Sequence, residues 1–253
     1  MQFQSEKPKA RATRAEVPEA VRLLRATDWI RLTHALGPAA DAPAALGRLL
    51  DEDLALRADA LDHLEKFLHH QNTIYPATVP TALYLAAILP DPRTAAVAVH
   101  RRDDWPRPQR AALIDWLGEM ADDVRDDAVA IRQRHGFADY PPIHELRAHR
   151  DTIGRAVAAF LDDPEPATRD AAVITTVLLT DIATLATRID ELGPRVRRVQ
   201  AETTSRYHCM RAEDCLRAWG QEPAPRFAAL TPVDRHLPAA DQWTGGFNDE
   251  PPF

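Results

Sequence analysis

A chain of 253 residues, 45% of them hydrophobic, can bury one large core or two small ones. Its formal net charge of −7 argues against a generic nucleic-acid binder, which needs lysine and arginine in excess to neutralise phosphate. No apolar run reaches the ~18 residues of a membrane span. The first residues, MQFQSEKPKARATR, lack the apolar stretch of a secretory signal, so a cytoplasmic chain with no membrane partner is expected.

Residues 1–16 carry Lys7, Lys9, Arg11 and Arg14 with little to bury and read as a flexible arm. Alanine and leucine are abundant thereafter, aromatics make up 6%, and the β-branched residues do not alternate as strands require. Glycine is scarce at 9 residues, while 21 prolines fall mostly between apolar segments, the punctuation of many short helices. The predicted class is therefore all-α.

Pro18 opens the first helix, with Val21 and Leu24 at helical spacing. Asp28 then caps a short helix bearing Trp29, Leu32 and Leu36, stopped by Gly37-Pro38. Asp41 and Pro43 open another with Leu46, Leu49 and Leu50. After the acidic turn 51–53, Leu54, Leu61, Leu64 and Leu68 form one helical stripe. The polar loop HHQNTIYPAT leads into PTALYLAAIL, apolar nearly all round and hence a buried inner helix. Pro92 starts a helix to about Arg102, and Pro106 and Pro108 start one with Leu113, Trp116, Leu117 and Met120, whose polar continuation stops at Gly136. The segment from Tyr140 to Leu161 reads as one helix, bent at most near Gly154; 166–189 reads as two, split near Asp181; the last runs from about Arg197 to Trp219. Residues 17–220 thus form the helical domain, and the Pro/Gly-rich residues 221–253 an extended tail.

Two segments match each other. LDEDLALRADALDHL, from Leu50, and LDDPEPATRDAAVITTVL, from Leu161, both run leucine, acidic residues, a spacer, then Arg57 or Arg169 with alanine three positions later; LPDPRTAAVAV, from Leu89, is a shorter echo. Acidic residues and proline suit a helix N-terminus, and the small alanines let neighbouring helices approach. This pattern resembles the HEAT repeat, whose second helix opens on an Asp-Pro turn followed by Arg and Ala. Residues 28–92, with Trp29, HALGPA at 34–39 and HQNTIYPAT at 70–78, are also similar to a group of actinobacterial HEAT-repeat proteins. The resemblance implies an α-solenoid of about five or six degenerate helical hairpins and no particular activity.

Candidate functional residues fall into two clusters. His69, His70, Gln71, Thr73 and Tyr75 form the densest polar loop and could bond a partner; alternatively, His70, Gln71 and Thr73 cap two helix ends. Asp122, Asp123 and Asp126 would present an acidic patch to a basic partner, or a solvated salt-bridged face. No metal-ligand spacing, nucleophile motif or phosphate-binding loop occurs, so no catalytic residue, metal or cofactor is assigned. Cys209 and Cys215, six apart on one helix, read as reduced thiols. A non-catalytic protein-interaction module follows, in its narrower version an immunity- or antitoxin-type protein masking a basic effector. The alternative is a DNA-binding protein similar to the HEAT-like alkylpurine DNA glycosylases, with Asp115, Trp105 and Trp116 as parts.

Overall fold

The computed structural model describes residues 17–98, 106–135, 140–223 and Arg226. The arm 1–16, most of the tail, Trp105 and the expected stop at Gly136 lie outside the described residues. The described chain is mostly helical, with eleven α-helices and three two-stranded hairpins. Among the described residues no helix is long and apolar enough to cross a membrane.

Helix α1 spans Pro18–Ala26, α2 Ala42–Arg48, α3 Leu54–His63 and α4 Thr78–Ile88. Helix α5 spans Gln109–Asp123, α6 Asp126–Arg134, α7 Pro141–Ala148, α8 Arg150–Ala158, α9 Pro166–Leu179, α10 Ile182–Glu202 and α11 Arg206–Ala218. The hairpin strands are β1 Thr33–His34 with β2 Gly37–Pro38, β3 His69–His70 with β4 Thr73–Ile74, and β5 Val97–Ala98 with β6 Arg107–Pro108.

Several boundaries differ from expectation. The short helix expected after Asp28 is replaced by turns and the β1–β2 hairpin, because Gly37 takes a φ of 123° and reverses the chain. The expected helix through Leu68 loses α-geometry after His63 and closes as one π-turn over Leu64–Leu68. The Phe67 carbonyl there accepts the amide of Ala35 at 3.0 Å, fastening β1–β2 to the end of α3. The polar loop after it is a hairpin turning through Gln71 and Asn72, both at positive φ. Only a 3₁₀ turn, Pro92–Ala95, follows Pro92 before β5. The 140–161 segment breaks at His149 rather than Gly154, and α10 runs on to Glu202 so that α11 starts afresh after a Ser205 cap.

The matching segments form the same turn. Asp51, Asp91 and Asp163 each accept the backbone N–H two residues on, at 3.1, 2.9 and 2.9 Å. Asp53 then caps α3 and Glu165 caps α9, both at 2.8 Å. Arg57 returns to the Asp51 carbonyl, and Arg169 to that of Asp163 at 3.4 Å. The third turn has no such arginine in its own helix, and Arg110 of α5 takes the place, donating to the Leu89 and Asp91 carbonyls at 2.9 and 3.1 Å. These arginines also tie turn to turn. Arg57 donates to the Arg93 carbonyl at 2.8 Å, Arg93 to that of Leu50 at 3.3 Å, and Arg110 stands 3.8 Å from Asp163 and over the Phe160 ring.

Above the turns, α4 packs against α8 and α5 against α9. Helices α5 and α9 are buried on nearly every face, and Leu113, Ile114, Leu117 and Met120 are wholly enclosed. The two approach closely because Gly118 leaves room for Thr175: a Cβ there would meet the Thr175 hydroxyl at 2.5 Å. That hydroxyl donates to the Ile114 carbonyl at 3.0 Å. Helix α11 lies against α9 and α10, and its N-terminus closes over the α5–α9 seam.

Candidate functional site

A cleft of about 670 Å³ opens where α5, α9 and the start of α11 converge. Its wall carries four carboxylates, Asp115, Glu119, Asp170 and Glu202, two arginines, Arg107 and Arg169, and Tyr207 and His208. The Ser205 hydroxyl accepts the His208 N–H at 3.2 Å, which caps α11 and sets the histidine in its first turn. From there His208 Nε2 stands 2.8 Å from Asp115 of α5, 93 positions away, and Arg107 donates to the other Asp115 oxygen.

Asp115 is 7% and His208 2% exposed, so neither charge is stable here alone. Burial works against the Asp115 carboxylate, but His208 and then Arg107 outweigh it and hold the carboxyl below its ordinary value. Burial likewise opposes the imidazolium, and Asp115 reverses the balance, so His208 titrates higher than usual. On α9, burial lifts the Asp170 carboxyl despite a hydrogen bond from Thr203. Desolvation also raises Glu119, at the cleft mouth, with Asp115 adding to it, and Tyr207 is pushed up by burial and by Asp115. Carboxylates in excess of cations give the cleft an acidic wall.

For a catalytic reading the parts do not line up. His208 Nδ1 is enclosed and has no hydrogen-bond partner among the described residues, so it does not face the cleft as a solvent-reached base. The Ser205 hydroxyl is engaged in the cap. Cys209 and Cys215 are free thiols, raised by burial, Cys215 to about 11, and so remain protonated.

The two sequence-predicted clusters meet each other instead of the cleft. His69 Nε2 lies 2.6 Å from Asp123, and Arg132 of α6 donates to the Asn72 carbonyl at 2.9 Å, joining the β3–β4 hairpin to the α5–α6 corner. Asp122 pairs with Arg125 and Arg211, and Asp126 with Arg147, so internal arginines answer the acidic patch. Because α5 ends at Asp123, Asp122 and Asp126 belong to different helices rather than one face. Gln71 is exposed, and His70, Thr73 and Tyr75 are half-buried. The capping expected of His70, Gln71 and Thr73 is met at one end only, by Thr78, whose hydroxyl donates to the Leu68 carbonyl and accepts the Tyr75 N–H at 2.8 Å, while α4 starts after Ala77 without a side-chain cap. Trp116, offered with Asp115 for base recognition, is buried edge-on to His69.

One constellation escaped the sequence reading. Asp41, expected to open α2, makes no cap hydrogen bond; its carboxylate turns to His34 Nε2 at 3.0 Å and His63 Nε2 at 3.9 Å. In comparisons with known proteins, no family model, no curated protein and no solved structure matches this chain.

Proposed function

We propose that the chain is a non-catalytic binding module of stacked HEAT-like hairpins that takes a positively charged segment of a partner protein into the α5–α9–α11 cleft. The observation that carries this reading is the cleft wall, with four carboxylates against two arginines and a histidine, Arg107 already committed to Asp115. A lysine or arginine side chain entering there would complete the charge balance, and Tyr207 gives the wall an aromatic ring over whose face a cation can pack. The stacked reading draws support from the three arginine-tied turns and from α4 lying on α8 while α5 lies on α9, the side-by-side order of neighbouring hairpins. A basic effector held in check, as by an immunity protein, is the narrower form of the same proposal.

An acidic wall repels phosphate, which places the glycosylase-like DNA reading second. Fluorescence anisotropy with labelled oligo-arginine, oligo-glutamate and duplex DNA at low and physiological salt tests the ranking. Oligo-arginine is expected to bind, and Glu119→Gln with Glu202→Gln, both at exposed positions, to weaken it by about tenfold. Tight, steeply salt-dependent DNA binding would overturn the reading, as would equal oligo-arginine binding by the double variant.

A further inference from the structure

We propose that His34, Asp41 and His63 form a divalent transition-metal site of the zinc type, separate from the cleft. The three donors come from the β1–β2 hairpin, the start of α2 and the end of α3, and their ligand atoms all lie within 4.8 Å of one another. Tetrahedral zinc with bonds of about 2.0–2.1 Å separates adjacent donors by about 3.4 Å. The carboxylate-to-histidine distances of 3.0 and 3.9 Å straddle that value, with one Asp41 oxygen facing each ring.

The second observation is His63 Nε2. It is buried and has no hydrogen-bond partner among the described residues, although it looks toward Asp41. A buried polar nitrogen aimed at a carboxylate but too far to bond it is satisfied by an ion placed between them. Phe67 holds both rings in place, stacked on His34 at 5.7 Å between centroids and edge-on to His63 at 4.8 Å. The Asp41 side chain is 58% exposed, so an ion reaches the site from solvent and keeps an open fourth position for water.

Ligation requires one rearrangement. His34 Nδ1 accepts the Leu36 N–H at 3.1 Å, so the metal-free ring carries its proton on Nε2, toward Asp41. Metal at Nε2 moves that proton to Nδ1, and the Leu36 amide must turn away. Leu36 is exposed, beside Gly37 at positive φ in the hairpin turn, where a peptide rotates without disturbing the core. Imidazole with carboxylate selects zinc, cobalt or nickel over calcium or magnesium.

The test is titration of the chelator-treated full-length chain with Co²⁺, read by its visible ligand-field bands, followed by displacement with Zn²⁺. One Co²⁺ per chain with the intense bands of tetrahedral coordination is expected. Asp41→Asn and His63→Gln should each weaken binding at least about tenfold while keeping the helical circular dichroism and melting temperature of the parent. His144→Gln, at an exposed position on α7, should bind as the parent does. Weak octahedral bands from the parent, or unchanged binding by both folded ligand variants, would overturn the site. Neither result bears on oligo-arginine binding in the cleft.

Discussion

At residues 50–53 the returning arginine, Arg57, is 5% exposed and donates to two carbonyls as well as lying 3.4 Å from the Gln109 side chain. Gln109 is itself enclosed and donates to the Leu49 carbonyl at 2.7 Å. At residues 161–165 the matching arginine, Arg169, makes one long hydrogen bond of 3.4 Å and turns its side toward the cleft, beside Asp170. The same local device therefore serves packing in one place and forms a wall of the candidate site in the other. What differs is what covers each arginine: the 3₁₀ turn and α5 enclose Arg57, whereas at the second turn Arg110 and Arg195 meet Asp163 and Asp162 and Arg169 is left at the cleft wall. The same turn thus leaves its arginine enclosed in one copy and at the cleft wall in the other.

Replacing the two arginines should separate these roles. Arg57→Met removes the charged donor from the Asp51 carbonyl and one of two donors from that of Arg93 in a dry setting, and a loss of about 2–4 kcal/mol is expected in urea unfolding. Arg169→Met should cost about 1 kcal/mol or less, since a single long bond near solvent is lost. Equal losses would break the comparison.

A smaller effect sharpens it through pH. His208 titrates above its ordinary value of about 6.5, so the stability of its pair with Asp115 is fully present below that pH. That stability fades as pH rises through the folded value. Asp115, held below its ordinary value, loses its contribution only at strongly acid pH. Unfolding free energy should therefore decline from about pH 6.5 upward. His208→Gln should remove that decline and cost about 1.5–3 kcal/mol at pH 6. A parent profile flat from pH 6 to 9 would show that the pair does not titrate in this way. The first turn contains no such pair, so Arg57→Met should leave the alkaline decline in place.

How much of this could be read from residues alone follows from distance along the chain. The acidic turns, helix capping by their acidic residues and the burial of α4, apolar nearly all round, are local and legible. The helix expected at 28–36 failed because Trp29, Leu32 and Leu36 at three- and four-residue spacing fit a turn and hairpin as well, and Gly37 could be a helix stop or a reversal. Asp41 in front of Pro43 carries a strong N-cap signal, and its use by His34 depends on a hairpin no local pattern announces. Asp115 and His208 meet only because α11 folds back over α5. Gly118, outside both matching segments, makes room at the α5–α9 contact that the pattern does not announce, while Ala60 and Ala172 are both buried.

The smallest predicted effect is the one on which the two turns should agree. Asp53→Ala and Glu165→Ala each remove a 2.8 Å hydrogen bond to a first-turn amide, and neither cap is wholly enclosed. Each should cost about 1 kcal/mol. Glutamate caps through a longer side chain and orders one more rotatable bond, so Glu165→Ala should fall at or slightly below Asp53→Ala. Should Glu165→Ala instead match the loss from Arg57→Met, the second turn would be bearing the packing load assigned to the first. The freedom of Arg169 to line the cleft would then need another explanation.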